Sequence, residues 1–235
     1  QAGDLTGAGG HFLRVGTTDE PTSGSADGTA MVAGDVSGFL IGLVGSTGLR
    51  SSGNATGDLT IGGTYSGGNG LQIATAGGAG LATGSAQVGV GVSDVSFVSV
   101  GGGGGDPDAT GSSVGQLAIL AGGAQGTGGS FSNFSVGTTN GPATSLGTAV
   151  VQGGISGFDR VNVGVTFDGT AGSATGLLDV QTGSVIGTGS PQLLRVGTTG
   201  NEFSSGSADG TAVVAGDVSG FLIGLVGSTG LRSSG

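Results

Sequence analysis

Several residue types that carry chemistry are scarce or missing in this 235-residue chain. Cysteine is absent, so neither disulfides nor thiolate metal sites contribute. Lysine is absent too: the five basic residues are Arg14, Arg50, Arg160, Arg195 and Arg232. A phosphate-binding GKS or GKT loop is therefore excluded. A Ser-His-Asp triad would depend on His11, the single histidine. It precedes Phe12-Leu13, where a second copy of the segment carries Gln192, and reads as a solvated edge residue. There is no tryptophan and one tyrosine, Tyr65, which leaves a glycan cleft without aromatic platforms. The acids, among them Asp19-Glu20, Asp58 and Asp168, read as scattered in turns and do not form the carboxylate pair that glycoside hydrolysis uses. No enzyme is expected, and a polysaccharide-degrading β-helix is the remote alternative.

Charge and hydropathy exclude further classes. Only 9% of residues are charged and the net charge is −10. Such a surface repels phosphate backbones, so no nucleic-acid partner is expected, while divalent cations suit it. The longest apolar run, Phe39 to Val44 with Gly42 inside it, is too short to span a bilayer, and no membrane insertion is expected. Nothing after Gln1 resembles a signal peptide, so any leader is expected to have been removed.

Glycine, by contrast, occurs 60 times. At that level an aperiodic chain would be disordered, but this one is periodic. Residues 23–53 recur as residues 205–235 with Val213 in place of Met31, an offset of 182 residues. Within that period lies one of about 60 residues, dividing the chain near 1–58, 59–116, 117–177 and 178–235. One column starts at Ala30, Ala86, Ala149 and Ala212, and another carries Leu59, Leu117 and Leu178. A further column reads LRVGTT from Leu13, LQIATA from Leu71, FSVGTT from Phe134 and LRVGTT from Leu194. Each unit halves again, giving about eight rungs of about 30 residues that start near 1, 30, 59, 86, 117, 149, 178 and 212.

Val, Ile, Phe and Thr fill the segments, often alternating, as in Leu194-Arg195-Val196 and Val161-Asn162-Val163. Glycine interrupts every candidate helical window. The expected fold is all-β: a single parallel β-helix, or β-solenoid, with glycine at the corners. Val32, Val88, Val151 and Val214 are expected in one core column, and Phe39, Phe158 and Phe221 in an internal aromatic stack. Asp27 and Asp209 (SADGT) and Asp35 and Asp217 (AGDVSG) read as turn residues bonded within their turns.

Val15-Gly16-Thr17-Thr18, Val136-Gly137-Thr138-Thr139, Val196-Gly197-Thr198-Thr199 and Thr175-Gly176-Leu177-Leu178-Asp179-Val180 resemble the Gly-rich β-solenoid repeats of bacterial surface proteins. Autotransporter passenger domains and large repetitive adhesins or filament proteins carry such repeats. The resemblance implies an exported scaffold, extracellular or on the cell surface, in an adhesion, biofilm, sheath or surface-layer role.

The expected function is structural. Gly235 falls at the repeat position of Gly53, and Gln1–Thr6 aligns with Ala55–Thr60, so the chain is expected to stack head to tail on copies of itself, or to be a window of a longer array. An adhesin stalk or an ice- or glycan-binding solenoid is the alternative, with surface glycans or calcium as further partners. Gly101–Asp108 matches half of a calcium nonapeptide, with Asp106 and Asp108 as weak ligands, though a plain turn suffices. No catalytic, cofactor or metal residue is assigned. The Thr-Thr pairs recur only in alternate rungs, which is irregular for an ice-binding ladder.

Overall fold

A computed structural model describes residues 3–8, 10–18, 24–47, 52–102, 111–129, 132–167, 172–188, 193–199 and 206–229. Asp19, Glu20, Asp106, Asp108 and Asp168 lie outside them.

The described residues contain strands and turns and no helix. Every strand pairing is parallel and links one coil to the next, giving a β-solenoid walled by three sheets. The first sheet holds Ala26–Val32, Ala55–Ile61, Ala82–Val88, Ser113–Ile119, Ser145–Val151, Ala174–Val180 and Ala208–Val214. The second holds short strands: Leu5–Thr6, Val36–Ser37, Thr64–Ser66, Gly91–Val95, Ala124–Gly126, Ile155–Phe158, Val185–Gly187 and Val218–Ser219. The third holds Phe12–Val15, Ile41–Val44, Gly70–Thr75, Phe97–Gly102, Asn133–Thr139, Arg160–Thr166, Leu193–Thr199 and Ile223–Val226. Each coil visits them in that order.

Among the described residues the complete coils number seven, slightly fewer than the eight rungs expected, because residues 5–15 supply described strands to two sheets only. The short sheet is also new relative to the sequence reading, in which AGDVSG counted as a turn although Val36-Ser37 is a strand. Asp27, Asp58 and Asp209, likewise read as turn residues, lie in strands of the first sheet. The alignment of Gln1–Thr6 with Ala55–Thr60 fails as well. Leu5 pairs with Val36 in the second sheet, whereas Leu59 pairs with Ala30 in the first. Gly3-Asp4-Leu5-Thr6-Gly7 occupies the place of Gly34-Asp35-Val36-Ser37-Gly38 one coil later.

The two sequence columns of Ala and Leu form one physical column. Ala30, Leu59, Ala86, Leu117, Ala149, Leu178 and Ala212 are successive register partners in the first sheet. This alternation of small and large accounts for the 60-residue period. The Ala30, Ala149 and Ala212 coils carry Phe39, Phe158 and Phe221 at the corner between the second and third sheets. The intervening Leu178 coil has Gly187 there, and a Cβ on Gly187 would stand 2.9 Å from the Phe221 ring. A Cβ on Gly126, in the Leu117 coil, would stand 3.0 Å from Phe158. Volume removed at one corner is thus restored at another, as close packing requires. The three phenylalanines therefore do not stack on one another; each ring covers a glycine of a neighbouring coil. Phe158 meets Phe134 edge-on, with centroids 5.7 Å apart.

Val32, Val88 and Val151 are buried in one column, and Val214 packs against the same core half-buried. Polar corner residues peg adjacent coils together. The Asp35 N–H donates to the Asp4 carboxylate (2.9 Å), and the Thr64 N–H donates to that of Asp35 (2.6 Å). The Asn54 N–H donates to Ser25 Oγ, and the Leu81 N–H to Asn54 Oδ1. These bonds bridge coils and do not close turns, which is why such residues recur at the coil spacing.

Where the third sheet meets the first, each coil places one residue in the left-handed region. It is glycine at Gly16, Gly45, Gly101, Gly137, Gly164, Gly197 and Gly227, and alanine at Ala74 (φ 50°). A Cβ on Gly164 would overlap the Thr175 carbonyl of the facing strand. The V-G-T-T motif marks this close approach of two backbones.

Candidate functional site

The residues singled out by sequence do not converge. His11 is exposed and its ring contacts the Ala8 carbonyl. Asp27, Asp58 and Asp209 are exposed on the outer face of the first sheet, and Asp35 and Asp217 lie at the corner before the second. Among the described residues no three His, Asp or Glu side chains gather as a metal centre would require. No described helix is long and apolar enough to cross a membrane. The Thr-Thr pairs follow the left-handed glycine and are shielded from solvent: Thr138, Thr139, Thr198 and Thr199 are each at most 4% exposed, and Thr17 and Thr18 are half-buried. An outward threonine ladder is not built from them.

Two surfaces have chemistry of their own. One is the edge of the last described coil, residues 208–226. Its coil is the sequence duplicate of the coil at 26–44, strand for strand. Val36 and Val44 are fully buried under the coil that follows them, whereas the equivalent Val218 and Val226 are 50% and 47% exposed. The edge also leaves backbone N–H and C=O groups of its strands without a ladder partner among the described residues.

The other surface is a recess of about 290 Å³ on the outer face of the third sheet. Its floor is a ladder in which Gln72, Ser99, Ser135 and Asn162 are successive register partners, and Arg195, the next partner of that ladder, stands beside the recess on the following coil. Beside it runs a parallel column of Phe97, Asn133 and Arg160. Thr138, Asn140 and Phe167 line the recess as well. Ser99 and Asn162 are 6% and 2% exposed. Ser99 Oγ, Asn162 Oδ1 and the Nε atoms of Arg160 and Arg195 have no hydrogen-bond partner among the described residues. Arg195 lies 5.9 Å from the Phe167 ring centroid, a cation–π contact. Burial, and secondarily the Arg160 charge, lower the pKa of Arg195. Two guanidinium groups thus sit close together on a chain that is otherwise strongly acidic.

This recess escaped the sequence reading for a physical reason. Val161-Asn162-Val163 and Leu194-Arg195-Val196 look like ordinary strand alternation, with the polar residue facing water. The available signal was vertical: consecutive coils place amide, hydroxyl and guanidinium groups at one outward register, where a solvated face would hold unrelated residues. Comparison of the chain with protein-family models, with curated proteins and with solved structures finds no match.

Proposed function

We propose that this chain is a non-enzymatic structural protein of an extracellular bacterial fibre, sheath or surface scaffold, extended by end-to-end stacking of coils. One contrast carries the reading. Identical valines in identical strands are buried beneath a following coil at Val36 and Val44 and half-exposed at Val218 and Val226 in the last described coil. The 208–226 edge therefore has the shape and chemistry that accept a coil such as 55–75 on its duplicate. A second copy of the chain supplies the cover. Its Leu5–Thr6 and Phe12–Val15 strands belong to the same two sheets as Val218–Ser219 and Ile223–Val226. The contact joins two different surfaces, and repeated translation along the axis does not close, so the product is an open filament. The in-phase glycine columns and the resemblance to Gly-rich bacterial surface repeats support the same role.

Charge placed on the edge tests this. Val218→Asp with Val226→Lys alters half-exposed side chains and leaves the buried columns intact. Sedimentation velocity of the wild-type chain should show concentration-dependent growth, and the double variant should remain a monomer. A wild-type chain that stays monomeric at the highest soluble concentration would remove the basis of the reading.

A further inference from the structure

We propose that the recess on the third sheet binds the carboxylate of an acidic saccharide unit, such as a hexuronate within a polyanionic glycan. The inference goes beyond the scaffold role, since it concerns the side of the solenoid and not its ends. Three observations carry it. The first is charge. Arg160 and Arg195 are two of only five basic residues in a chain of net charge −10. Neither forms an ion pair among the described residues. A scaffold that needed only solubility would not place both on adjacent coils, with both Nε atoms buried.

The second observation is unsatisfied polarity. Asn162 Oδ1 and Ser99 Oγ belong to side chains more than nine-tenths buried and border the same recess. Buried polar atoms are normally paired, and those left over mark a place that a ligand or ordered water completes. The third is the mixture of groups. The guanidinium fork matches a planar two-oxygen acceptor, and the amide and hydroxyl groups of Gln72, Ser135 and Asn162 suit sugar hydroxyls. Phe97 and Phe167 offer apolar surface to ring C–H groups. At about 290 Å³ the recess lies at the small end of ligand sites and fits a single sugar ring better than an extended chain. Neighbouring coils would guide the rest of the polymer along the ladder.

The test uses the full chain and titration calorimetry with a trigalacturonate probe, its neutral trigalactose counterpart, and inorganic sulfate. Arg14 lies in the same outward column as Arg195, six coils away, so Arg14→Gln serves as a control. Saturable binding of trigalacturonate is expected, falling as salt rises. Arg160→Gln and Arg195→Gln should each weaken it roughly tenfold or more, the usual consequence of removing a charge-assisted hydrogen bond. Arg14→Gln should leave it unchanged, and neutral trigalactose should not bind. Circular dichroism on each variant separates lost binding from lost fold. Equal binding by trigalactose, or by sulfate alone, would overturn the saccharide assignment. Absence of binding at millimolar probe overturns the proposal outright. None of these outcomes depends on whether the chain forms filaments.

Discussion

Replacing Gly164 with alanine strikes at the line where the third and first sheets touch. Gly164 has φ of 61°, and an added Cβ would overlap the Thr175 carbonyl. Two penalties combine. Holding a non-glycine residue in the left-handed region costs about 1 kcal/mol or more, and separating two backbones that touch disturbs packing in both coils. The chain contains its own calibration at Ala74, the equivalent place in another coil, with φ of 50°. There the facing strand has withdrawn: a Cβ on Gly84 would stand 2.8 Å from the Ile73 carbonyl, whereas the corresponding approaches at Gly57, Gly115, Gly147 and Gly176 are closer. Ala74 is fully buried and packs with Ala55, Ala76 and Ala82, so its methyl group is used. Gly164→Ala should therefore lower unfolding stability by about 2–4 kcal/mol. Ala74→Gly should stay within about 1 kcal/mol of wild type, since relieved strain offsets the lost methyl. Urea denaturation followed by circular dichroism measures both. A Gly164→Ala protein as stable as wild type, or an Ala74→Gly protein destabilised more than Gly164→Ala, would refute this account of the V-G motif.

Two further expectations concern the core. Val151 is fully buried in the middle of its column, so Val151→Asp should destabilise by more than about 3 kcal/mol, because it buries a carboxyl group with no partner; thermal melting at neutral pH is the check. Tyr65 is 1% exposed and donates its hydroxyl to the Gly70 carbonyl at 2.9 Å. Burial pushes its pKa from 10.0 up to about 12. The folded state then keeps the phenol proton where the unfolded chain has lost it. Stability is full below pH 10 and should fall by about 2–3 kcal/mol as pH rises towards 12. Tyr65→Phe should flatten that slope in urea titrations at pH 9 and 11, and an unchanged slope would show that other groups cause it.

Much of the wall of this solenoid was legible in the sequence. The Val32, Val88 and Val151 column follows from spacing alone, because parallel in-register coils repeat inward residues at a fixed interval. The short second sheet was hidden because two-residue strands such as Val36-Ser37 sit between glycines and look like turns. The Phe39, Phe158 and Phe221 column was correctly aligned but wrongly stacked. Alternate coils place glycine opposite each ring, and that pairing emerges only once the Ala and Leu columns are seen to be one. The register at Leu5 misled for a related reason: GDLT resembles both GDLT at residues 57–60 and GDVS at residues 34–37. The Asp4 carboxylate bond to the Asp35 N–H selects the second. The recess was illegible because each contributing residue obeys strand alternation in its own coil, and only their vertical coincidence differs from a solvated face.

End-to-end growth of the solenoid is most directly tested by imaging and fibre diffraction of concentrated purified chain. Uniform unbranched filaments with a meridional reflection near about 4.8 Å, the spacing of stacked strands, are the expected result. Discrete particles one chain long at every concentration, with the residues 208–226 edge covered by another segment, would contradict it.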